Sequence, residues 1–130
     1  MSYFLLAANL LTALAFLVHT FVGDREIRQL EPEKSDSDHQ KRLYWTMARC
    51  GWHWISVDLL SSSVLIALIN FTEILGNAEV LLFLLGLHYL AYAIVWAFVI
   101  TLSKAFPSNY LKLGQWMLLL AIGGLIFAGS

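Results

Sequence analysis

Charge is what this sequence has least of. Asp, Glu, Lys and Arg make up 13% of its 130 residues, about half the share in an ordinary soluble domain. The few charges are also segregated. All eight Lys and Arg fall between Arg25 and Arg49 or at Lys104 and Lys112. A net charge of −1 argues against a nucleic-acid partner. Cysteine is nearly absent. Cys50 alone excludes an internal disulfide and any CxxC redox pair, and reads as a small packing residue. There is no HExxH, no nucleotide-binding glycine loop, and no histidine spacing that matches a zinc motif. Too little polar chain is left for a separate soluble domain.

What is present is apolar sequence, at 59%. Four runs, residues 2–22, 43–69, 78–103 and 110–128, have the length and composition of membrane spans. The first run has no Asp, Glu, Lys or Arg, and His19 is its one histidine. It lacks a basic leader and a small-residue cleavage site, so it reads as a retained helix and not as a signal peptide. Good helix formers past Gly23 carry that helix on towards Pro32. Residues 31–42 form the aqueous loop, with no apolar periodicity and with His39 among acids and amides. Residues 70–77 read as a short turn, and Lys104, Pro107, Ser108 and Asn109 as another. In the fourth run Gly124 and Ala128 are spaced small-xxx-small, which predicts a close helix contact at Gly124. The fold class expected is all-α, an integral-membrane four-helix bundle. Every basic residue lies in or beside the first-to-second or third-to-fourth connection, whereas the second-to-third has Glu73 and Glu79 and no base. The positive-inside rule then puts both termini on the non-cytoplasmic side.

The polar groups inside these runs are the candidates for function. The stretch from Arg49 to Asp58 opens the second run with an arginine, a histidine and an aspartate. A carboxylate near the centre of a lone span costs roughly 2.5–3.5 kcal/mol, so Asp58 needs a proton, a partner, a cavity or a metal. His19 falls one turn inside the cytoplasmic end of the first span, with Asp24 and Glu26 just beyond it. His19 and Glu26, one heptad apart, share a helix face, as do Arg49 and His53 at i, i+4. Antiparallel packing brings His19, Asp24, Arg49 and His53 to one cytoplasmic mouth. Asp58 shares a face with Trp54, Ser61 and Ser62, and His88 shares one with Tyr92. An Asp58–His88 pair would suit a proton relay, an oriented metal ligand or a general base. The candidate ligand-binding set is therefore His19, Asp24, Arg49, His53, Asp58 and His88. A divalent metal on His19, His53 and His88 rests on their number alone, and a haem between two histidines ranks lower because His53 and His88 fall at different depths. Each residue also has a plain reading. His19 is an interfacial histidine, Arg49 binds headgroup phosphate, Tyr44 and Trp45, or Trp52 and Trp54, form an aromatic belt, and Asp58 stitches helices together.

The segments His19-Thr20-Phe21-Val22-Gly23-Asp24-Arg25 and Ala48-Arg49-Cys50-Gly51-Trp52-His53 together resemble a pattern in small uncharacterised four-span bacterial inner-membrane proteins. In those, a histidine and a Gly-acid-Arg close the first helix and a Trp-His opens the second. The resemblance covers the first half of the chain. It implies a four-helix membrane protein, brings no activity, and singles out His19, Gly23, Asp24, Arg25, Trp52 and His53.

The expectation for function is a multi-pass protein of a bacterial inner membrane that transports or binds a small ligand, a proton or a divalent metal. Two other classes stay open. One is a membrane-embedded metal-dependent enzyme with His19, His53 and His88 as ligands and Asp58 as base or orienting group. The other is a structural or assembly subunit. The bilayer is the partner common to all three, and a second copy or another membrane protein is compatible with each.

Overall fold

The computed structural model describes residues 1–33, 38–76, 78–103 and 109–130, and the backbone alone of Asn109. The described residues are helical, with no strand among them. Helix α1 (Tyr3–Leu17) passes into a π-helical turn (Val18–Gly23) and on into α2 (Asp24–Gln29) as one apolar rod. Then come α3 (His39–Phe71), α4 (Ala78–Leu102), α5 (Asn109–Lys112) and α6 (Gln115–Gly129). Three helical stretches, Tyr3–Gln29, His39–Phe71 and Ala78–Leu102, are long and apolar enough to cross a membrane. The expected boundaries at Lys104, Pro107 and Ser108 lie outside the described residues, as do Ser37 and Asn77.

α3 starts earlier than residue 43. Asp38 caps it, its Oδ1 accepting from the backbone N–H of Gln40 at 3.0 Å and of Lys41 at 3.1 Å. A side-chain acceptor of this kind satisfies N–H groups that the first helical turn leaves without intrahelical partners. At its other end α3 extends through Asn70, which the sequence reading placed in a turn.

The fourth apolar run is not one continuous helix. It breaks at Leu113–Gly114, and two indoles take up carbonyls near the break. Trp96 Nε1 donates to Leu113 O at 3.2 Å and Trp116 Nε1 to Tyr110 O at 2.9 Å. α6 alone rises about 22 Å at 1.5 Å per residue, short of a hydrocarbon core about 30 Å thick.

The chain forms two compact units, Met1–Leu11 with Val64–Ser130, and Thr12–Ser63. In the first, α4 packs along α6. Gly86 and Gly123 permit the approach. A Cβ on Gly123 would lie 3.3 Å from the Gly86 carbonyl, and one on Gly86 would lie 2.8 Å from the Phe127 ring. Gly124 and Ala128 are exposed, and a Cβ on Gly124 would meet nothing within 4 Å. The contact expected at Gly124 is thus made one residue earlier, because the face of α6 turned to α4 carries Ile122, Gly123 and Ile126. Asn70 ties the chain start into this unit. Its Oδ1 accepts from Ser2 N at 2.7 Å and its Nδ2 donates to Ser2 O at 3.2 Å.

In the second unit the end of the first rod runs antiparallel to the start of α3. Going up α3, Trp45 faces Ile27, Arg49 faces Asp24 and Trp52 faces His19. These three α3 positions recur at four and three residues, one face of an α-helix. That face carries the candidate site.

Candidate functional site: a shared carboxylate and an aromatic clasp

The π-helical turn sets the register. A π turn bonds i to i+5 in place of i+4 and is found disproportionately at functional sites. It places Asp24, five residues on from His19, on the side turned to α3. Glu26, expected there from the heptad spacing, is exposed. The extra residue in the turn is the physical reason for the difference.

His19 and Trp52 form a reciprocal clasp. The Trp52 indole N–H donates to the His19 carbonyl at 3.0 Å. His19 Nε2 lies 3.0 Å from the Trp52 carbonyl. A carbonyl can only accept, so Nε2 is the protonated nitrogen. The two rings stack with centroids 3.9 Å apart and planes 8° from parallel. Gly23 is part of the clasp, because a Cβ there would run into Trp52 Cζ2. Only glycine leaves room for the indole.

One turn away, Asp24 is buried, with 7% of its side chain exposed. Both of its oxygens are engaged. Oδ1 takes Arg49 Nε at 3.1 Å and His53 Nε2 at 3.2 Å. Oδ2 takes Arg28 Nη2 at 2.7 Å and Arg49 Nη2 at 3.5 Å. Arg49 is further held over the Trp45 ring, 5.4 Å from its centroid, and the Trp45 indole donates to Ile27 O at 3.1 Å. Exposure rises outward from the carboxylate, from Arg49 at 31% to His53 at 44% and Arg28 at 58%. Two guanidiniums are permanently charged, so one carboxylate cannot neutralise the cluster.

The structure therefore brings together Asp24, Arg49 and His53, with His19 clasped beside them. Asp58 is half-buried further along α3 in the same unit. His88 belongs to the other unit, tilted against Tyr92 at 4.2 Å and edge-on to Tyr89 at 5.8 Å. Among the described residues no three His, Cys, Asp or Glu side chains converge as metal ligands. Sequence reasoning missed Arg28, whose i+4 spacing from Asp24 was the available signal. It read Trp45 and Trp52 as belt residues and did not foresee that both also spend their indole N–H on backbone carbonyls of the neighbouring rod. Comparison with known proteins gives no matching family model, no curated relative and no similar solved structure.

Proposed function

We propose that this chain is a small four-span protein of a bacterial inner membrane, with both termini outside, that binds a small anionic ligand at the cytoplasmic end of its first two spans. The observation that carries the reading is the single buried carboxylate of Asp24 shared by Arg28, Arg49 and His53. The excess positive charge is held in fixed geometry and grows more exposed away from Asp24. Binding of this kind is complete in itself or the first step of transport. A divalent cation is less well supported at this place, because both carboxylate oxygens are occupied and two guanidiniums repel it. The test is thermal unfolding in uncharged detergent with phosphate, citrate, Zn2+ or Mn2+ added. Anions should raise the unfolding temperature of the wild type and raise it less in Arg28→Gln, a change at the most exposed member. Stabilisation by Zn2+ and not by anions would return the site to the metal reading.

A structural role is the second reading, favoured by how completely the clasp and Asp24 are satisfied. Under it, no added ion changes the unfolding temperature, although Arg49→Gln lowers it. Four crossings are supported by the partition of basic residues, and α6 must then be joined by neighbouring chain to span the bilayer. Cysteines at Ser37 and Ser130 in a Cys50→Ser background test this. With impermeant maleimide applied from outside, position 130 should label and position 37 should not.

A further inference from the structure

The depth of the Asp24 cluster names its ligand, given the anion-binding reading on which this step rests. The first apolar run ends at Val22, just before Asp24, and Arg49 is the last basic residue before the stretch Cys50–Val57 of α3, which holds no Asp, Glu, Lys or Arg. Asp24, Arg28 and Arg49 thus stand at the level where span gives way to polar chain, alongside Tyr44 and Trp45, residue types that settle at headgroup depth. At that depth the abundant small anion is a lipid phosphate. A guanidinium carries five N–H donors in a planar fork suited to phosphate oxygens. Asp24 engages Nε and Nη2 of Arg49 and Nη2 of Arg28. Among the described residues these contacts use Nε and one Nη2 N–H of Arg49 and one Nη2 N–H of Arg28, of the five donors on each guanidinium. Asp24 clamps the two guanidiniums to one point, the Arg49 guanidinium lies over the Trp45 ring, and His53 Nε2 reaches the same carboxylate.

We infer that Arg28 and Arg49 form a phosphate site, positioned by Asp24, for the headgroup of an anionic phospholipid. The site is built and not a diffuse basic patch, which gives it a signature of sign. A diffuse patch gains net positive charge when Asp24 is neutralised, so Asp24→Asn would strengthen lipid binding. A built site loses the clamp that aligns both guanidiniums, so Asp24→Asn weakens it.

The experiment is native mass spectrometry of the full chain in an uncharged detergent, with phosphatidylglycerol, phosphatidylcholine or inorganic phosphate titrated in. Phosphatidylglycerol should bind one per chain and in preference to phosphatidylcholine. Arg28→Gln and Asp24→Asn should each weaken it roughly tenfold, the scale of one charge-assisted hydrogen bond. Arg25→Gln, which removes the same charge from an exposed neighbour on α2, should leave it within about twofold, the level expected of a surface charge. Stronger binding in Asp24→Asn, or equal losses in Arg25→Gln and Arg28→Gln, overturns the inference. Inorganic phosphate bound as tightly as the lipid also overturns it, while leaving the anion-binding reading intact. Failure of every anion, here and in thermal unfolding, removes both.

Discussion

His19 and Trp52 hold each other at both ends, each side chain reaching the other's backbone carbonyl at 3.0 Å while their rings stack at 3.9 Å. Truncating either side chain removes one of the two hydrogen bonds together with the ring stack they share. A double-mutant cycle should show this. His19→Ala and Trp52→Ala should each lower stability, and the double variant should lose less than their sum, with coupling of about 0.5–3 kcal/mol for residues in direct contact. Unfolding in detergent measures it, and additive losses would mean that the clasp does not exist in solution.

Gly23 gives a second prediction from the same place. Its missing Cβ is the space that the Trp52 ring occupies. Gly23→Ala should cost about 1–3 kcal/mol, the usual range for overpacking a closed contact. Alanine is otherwise the better helix former, by about 1 kcal/mol. In a Trp52→Ala background the same change should therefore stabilise. No change of sign between the two backgrounds would show that Trp52 is not the obstacle.

The contrast between the two adjacent glycines of α6 can be tested directly. Gly123→Leu should lower the unfolding temperature, because its Cβ meets the α4 backbone and Tyr89. Gly124→Leu should leave it unchanged, since the space around that Cβ is open within the chain. Equal effects would contradict the packing of α4 against α6.

The long helices and the meeting of Asp24, Arg49 and His53 were legible in the sequence, because apolar runs and antiparallel order constrain both. What was hidden follows from departures from regular geometry. A heptad count assumes 3.6 residues per turn, so it put Glu26 beneath His19, and the π turn put Asp24 on the α3 side instead. Trp52 carried an aromatic signal that fits a lipid boundary equally well. Only the glycine opposite it and the carbonyl it reaches make it a clasp. The run from 110 to 128 is apolar enough overall to read as one span, and the backbone break near Trp96 and Trp116 falls where Lys112, Gly114 and Gln115 interrupt it. Gly124 and Ala128 matched a packing motif, but a motif fixes spacing and not which face of the helix is turned inward.

Arg49 supplies the last prediction, because it is held in three ways at once. Its Nε and Nη2 reach the two oxygens of Asp24, and its guanidinium lies over Trp45. Lysine keeps the charge but offers a single ammonium point in place of a planar fork, and it is more strongly hydrated. Arg49→Lys should therefore behave as a loss and not as a conservative exchange. It should lower the unfolding temperature towards that of Arg49→Gln, since Asp24 would stay buried while losing aligned donors. Arg28→Lys is the matched control, because Arg28 reaches Asp24 through Nη2 at 2.7 Å, a contact a single ammonium can reproduce, and is more exposed. It should retain nearly all of the wild-type stability. If Arg49→Lys were as stable as the wild type, charge alone would suffice at this position, and the fork geometry would lose its claim to organise the site.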